Sequence, residues 1–175
     1  KTLVDLLSDR INIRTKITVL EWLAEYLKMF NQELQNGNKE SYYNVSILAR
    51  IPTILRGILV NLSDDEIGKK PRLISSLEIR KTASIANDLT MDIIQKSSSS
   101  KIDFPSLINL LKELLHSKQY IAQFPAINSI EKTLLATISW IKHLLTNFQN
   151  EVMPLLDEVL QNIIEKLYDS EEGVN

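Results

Sequence analysis

Residues Phe104–Trp140 read FPSLINLLKELLHSKQYIAQFPAINSIEKTLLATISW. The first half repeats apolar residues at Leu107, Leu110, Leu111, Leu114 and Leu115. These spacings of three and four place them on one face of an α-helix. The second half repeats them at Ile127, Ile130, Leu134 and Ile138, with Trp140 and Ile141 following. A short gap containing a second Phe-Pro pair separates the halves. The residue before a proline avoids the helical region, so Phe104-Pro105 and Phe124-Pro125 mark where helices begin. The stretch predicts two helices packed as a hairpin and contains no residue poised for bond-making chemistry.

The same periodicity extends outward in both directions. Ile13, Ile17, Leu20, Leu23, Leu27 and Phe30 predict a helix over 15–34, with Trp22 and Tyr26 thickening its apolar face. Asn36-Gly37-Asn38 ends it, because Gly and Asn tolerate the left-handed conformation at a helix terminus. Apolar positions from Ile47 to Leu62 predict two short helices or one kinked helix around Pro52. A helix over 74–95 follows, with Leu77, Ile85, Leu89, Met91, Ile93 and Ile94 as its apolar positions. Its sparser apolar residues predict a more exposed element. The Ser97–Ser100 run between Lys96 and Lys101 reads as a flexible surface loop that could accept phosphate. A last helix is expected over 151–167, with Pro154 in its first turn, and the tail 170–175 is expected to fray.

Such helices are marginal alone and must bury their stripes against one another. The fold expected is therefore all-α: an antiparallel helical bundle or a short irregular α-solenoid of about six or seven helices, forming a single domain over 1–169. Trp22 and Trp140 are expected in its core.

Composition narrows the function. The chain has 175 residues, four glycines, five prolines, no cysteine and a formal net charge of −2. Without cysteine there are no disulfides and no thiolate zinc sites. The near-neutral balance lacks the footprint of a dedicated nucleic-acid binder. No apolar run reaches bilayer length, and the opening residues do not read as a signal peptide. Lys1 in first place reads as the start of a piece of a longer protein, in an intracellular setting.

His116 and His143 are the only histidines, and neither has the spacing of a metal ligand set. No Gly-rich phosphate loop is present, since Gly57 and Gly68 are isolated. Catalytic, cofactor and metal sites are therefore not expected. Charge is uneven in two places. Glu66–Lys81 holds five basic residues against two acids, a net +3. Residues 151–175 hold seven acids against one base, a net −6. Lys69, Lys70, Arg72, Arg80 and Lys81 form the candidate partner-contact surface, for an acidic protein or a phosphate backbone. A solvated loop is the plainer explanation of the same residues.

The 104–140 pattern resembles the PLU-1-like helical region of the lysine-specific demethylase 5 (JARID1) family. Leu107, Leu110, Leu111, Leu114, Pro125, Leu134, Ala136 and Trp140 occupy similar places in its leucine-rich unit. The resemblance covers about forty residues. The first helix of the unit lacks that family's usual abundance of acids. The resemblance implies a nuclear chromatin-associated parent, with this segment as a scaffold that binds other subunits of a complex and holds no iron ligands. The alternative expectation is a helical adaptor that holds peptides or partner helices in a trafficking or cytoskeletal complex.

Overall fold

A computed structural model describes residues 7, 13–36, 46–62, 73–115 and 130–157. The fold is all-α, and among the described residues there is no strand. Helix α1 spans Ile13–Gln35, α2 Ile51–Leu62, α3 Leu73–Lys96, α4 Phe104–Leu115 and α5 Ile130–Asn147. A further helix, α6, covers 149–157. No described helix is long and apolar enough to cross a membrane.

The termini follow local chemistry. Arg50 caps α2: its carbonyl accepts from the Ile54 N–H at 3.0 Å, so Pro52 falls in the first turn, where a missing N–H is harmless. Residues 46–48 form a separate helical turn before it. This is the two-helix form of the 47–62 segment. Asp103 caps α4, its Oδ1 accepting from the Ser106 backbone N–H at 3.1 Å. Phe104-Pro105 therefore opens a helix; Phe124-Pro125 lies outside the described residues, as do Gly37, Asn38 and 158–175 with the expected frayed tail.

The serine run is a shaped turn rather than a loose loop. Ser97 Oγ donates to the Ile93 carbonyl at 2.6 Å, Ser99–Lys101 form one 3₁₀ turn, and the Ser98 and Ser100 hydroxyls meet at 3.0 Å. Helix α6 begins at residue 149, two residues before the expected start, so Pro154 stands in its second turn.

Helix directions follow from cross-contacts. Asn31 near the end of α1 meets Asp92 and Lys96 near the end of α3. Trp140 meets Asn87, and His143, one turn later, faces Met91 and Asp92. Hence α1, α3 and α5 run in one direction. Helix α2 packs against α3, α4 and α5, and α4 also packs against α5. Arg56 on α2 pairs with Glu113 on α4 at 2.6 Å. Helices α1 and α3 lie side by side, whereas α5 touches α3 more lightly than it touches α4 and α2, so the described helices pack as an all-α bundle. One apolar cluster runs through all of them, from Leu20 and Leu27 through Leu55, Ile58 and Ile93 to Leu111 and Leu144.

Helix α3 packs against α1, α2 and α5, yet it is the more exposed element that its composition predicts, with six of its twenty described side chains buried. Its buried line is Ile79, Ala83, Ala86, Thr90 and Ile93, at spacings of four and three, whereas Leu77 and Ile85 are exposed. Small residues on this seam let neighbouring helices lie close, and the contact between α1 and α3 is the most extensive among the described helices. Helix α5, like α3, leaves some expected apolar positions in water. Thr133, Thr137, Trp140, Ile141 and Leu144 are buried, while Ile138 and Leu135 face water. Buried threonines remain satisfied: the Thr90 and Thr137 hydroxyls each donate to the carbonyl four residues earlier, at 2.7 Å.

Candidate interaction surfaces and the polar cluster between α1, α3 and α5

The two tryptophans have opposite fates. Trp140 is 0% exposed and its indole N–H donates to Asn87 Oδ1 at 2.8 Å. Trp22 is 61% exposed, contrary to the expectation that it fills the core. The cause is angular. Leu20, Leu23 and Leu27 point the buried face of α1 inward, and Trp22 stands about 100° from Leu23, beyond the edge of that face. Tyr26 and Met29 stand beside it, 48% and 61% exposed. These spacings of four and three define a second, outward apolar stripe on α1.

Three helices meet at a polar cluster. Lys96 Nζ donates to Asp92 Oδ2 at 3.0 Å and to Asn31 Oδ1 at 3.1 Å. Asn31 Nδ2 closes the triangle on Asp92 Oδ2 at 3.3 Å. The Lys96 hydrogen bond, reinforced by Asn31 and the charges of Lys96 and His143, holds the Asp92 carboxyl below its ordinary pKa against a smaller desolvation effect. His143 lies across the seam, its ring edge-on to Trp140 with centroids 5.8 Å apart. Burial pushes the His143 pKa down; the Met91 carbonyl and Asp92 oppose that shift. The Met91 carbonyl is favourably placed for a charged ring, yet Nε2 is buried without a well-formed hydrogen bond. Asn147 Nδ2 lies 3.5 Å from the other ring nitrogen and donates to the His143 carbonyl at 2.8 Å.

This cluster is suited to fixing helix register. Asp92 is engaged by a cation and an amide, and among the described residues no hydroxyl nucleophile is hydrogen-bonded to His143 in the manner of a base-activated site. Among the described residues no group of three His, Asp or Glu side chains could hold a metal ion.

Of the five basic positions, the structure describes Arg80 and Lys81. Lys69, Lys70 and Arg72 lie outside the described residues, as does His116. Arg80 is half-buried and Lys81 exposed on α3, one residue apart and so about 100° apart around the helix. The signal for the α1 stripe was present in the spacing of Trp22, Tyr26 and Met29, which runs parallel to the leucine stripe rather than within it. The polar cluster had no local signal, because its members come from three helices. No protein-family model, curated protein or solved structure matches the chain.

Proposed function

We propose that this chain is a non-catalytic helical interaction module, a scaffold segment that joins other proteins in a larger assembly. The observation that carries the reading is the exposed apolar stripe of Trp22, Tyr26 and Met29 on α1, on the side away from α3. A contiguous exposed apolar patch of aromatic and methionine side chains is often a contact site. Within the three-helix cluster Asn31, Asp92 and Lys96 are engaged with one another, which supports the non-catalytic part.

Two settings fit such a module. The resemblance of 104–140 to the JARID1 helical region implies a nuclear, chromatin-associated parent. The exposed aromatic stripe on α1 favours the second reading, an adaptor that receives a partner helix in a trafficking or cytoskeletal complex. Affinity purification of the tagged chain from nuclear and from cytosolic extracts, followed by mass spectrometry, separates them. Histones with demethylase or deacetylase subunits support the chromatin setting. Coat, motor or membrane-traffic components support the adaptor. Recovery of no protein above the bare-resin control from either extract would overturn the interaction reading.

A further inference from the structure

The stripe on α1 has the dimensions of a helix-docking site. Trp22 stands about 180° around α1 from Asn31, which binds α3. The stripe therefore faces away from α3. Trp22 to Met29 covers two helical turns, about 10 Å at 1.5 Å per residue. This edge of the bundle carries two aromatic residues and a methionine.

We propose that this edge seats an amphipathic helix of a partner protein, laid along α1, with basic residues flanking its own apolar seam. The proposal deepens the interaction-module reading and rests on it. Charge selects the partner. The exposed charges of α1 are Glu21, Glu25 and Glu33 against Arg14 and Lys28; Arg14 lies two turns before Trp22, and Lys28, the base beside the stripe, is already drawn to Glu25 at 3.6 Å. Area selects against a second copy of this chain. With aromatic side chains of ~150–250 Å², the observed exposures leave about 300–400 Å² on the stripe. A stable dimer needs about 800 Å² per partner. A single helix reading positions i, i+4 and i+7 matches the smaller area.

The test uses the 175-residue chain and two synthetic 18-residue helices labelled with fluorescein. Both have leucines at i, i+3, i+4 and i+7; one is flanked by lysines, the other by glutamates. Fluorescence anisotropy is expected to show the lysine peptide binding at least tenfold more tightly than the glutamate peptide. Trp22→Ser/Met29→Ser, with unchanged far-UV circular dichroism, is expected to weaken it at least tenfold. Glu25→Lys/Glu33→Lys keeps the aromatic residues and is expected to reverse the preference between the peptides. Equal binding of the two peptides, no binding of either, or a charge-reversed chain with the original preference would overturn the proposal. So would sedimentation equilibrium showing a dimer that Trp22→Ser/Met29→Ser dissolves, because the occupant would then be a second copy. None of these failures touches capture of partners through another surface, so the scaffold reading is judged separately by its own purification.

Discussion

Replacing Trp140 by alanine tests the seam between α3 and α5. The side chain is 0% exposed, its ring lies edge-on to His143 and its N–H reaches Asn87 at 2.8 Å. An aromatic side chain buries ~150–250 Å², which at ~25 cal/mol/Å² corresponds to about 4–6 kcal/mol. Alanine keeps the Cβ and the cavity relaxes in part, whereas the lost hydrogen bond adds about 1 kcal/mol. The expected destabilisation is about 3–5 kcal/mol. Urea unfolding followed by far-UV circular dichroism reads it without relying on the indole that has been removed. Trp140→Phe then isolates the N–H. Asn87 is half-buried, so water can replace the donor, and the expected coupling to Asn87→Ala is about 0.5–1 kcal/mol. A Trp140→Ala cost below about 1 kcal/mol would refute the burial argument. An Asn87→Ala effect that is the same in the wild-type and Trp140→Phe backgrounds would refute the hydrogen bond.

Three further outcomes are expected. Ala83→Leu should cost about 1–3 kcal/mol by overpacking the core side of α3, while Ser84→Leu on the exposed neighbour stays within about 0.5 kcal/mol, both measured by urea unfolding. Asp103→Ala should cost about 0.5–2 kcal/mol through loss of the α4 cap, with Asp103→Asn retaining most of the stability in the same assay. His143 has a folded pKa below its unfolded value, so the unfolded chain takes up the proton first on acidification. Stability should therefore fall as pH drops from about 6.5 towards the folded pKa and change no further from this group below it. Unfolding curves at pH 7.5 and 5.5 should converge for His143→Gln; an undiminished difference in that variant would assign the slope to other groups. The depressed Asp92 carboxyl acts at lower pH: its stabilisation is present above its unfolded pKa, near 3.9, and is lost as pH falls through its lower folded value.

Much of the architecture was legible in the leucine and isoleucine spacing. Helices over 13–35, 51–62, 73–96 and 104–115 lie close to the segments that periodicity predicts, because a stripe repeating at three and four has no other way to be buried. What periodicity assigned wrongly were faces. On α3 and α5 the buried lines contain Ala83, Ala86, Thr90, Thr133 and Thr137, residues that carry little hydrophobic signal. A reading that counts only large apolar residues places Ile93, Ile94, Trp140 and Ile141 correctly but adds Leu77, Ile85 and Ile138, all of which are exposed. Trp22 was misassigned for the related reason that an outward stripe and an inward one have the same period and differ only in angle. The Asn31–Asp92–Lys96 triangle was illegible, since its members are separated by 61 and 65 residues and meet only once the bundle has formed.

The side-by-side pairing of α1 with α3 has a consequence for the nascent chain. Helix α1 is complete at Gln35, but the helix that covers it most extensively ends only at Lys96. A ribosome adding ~5–20 residues per second needs about 3–12 s to make the intervening chain. Throughout that interval the leucines of α1 lack their main cover. Helix α1 is therefore exposed to chaperones and to misassociation during synthesis, whereas α5 follows α2, α3 and α4 and finds its docking surface already built.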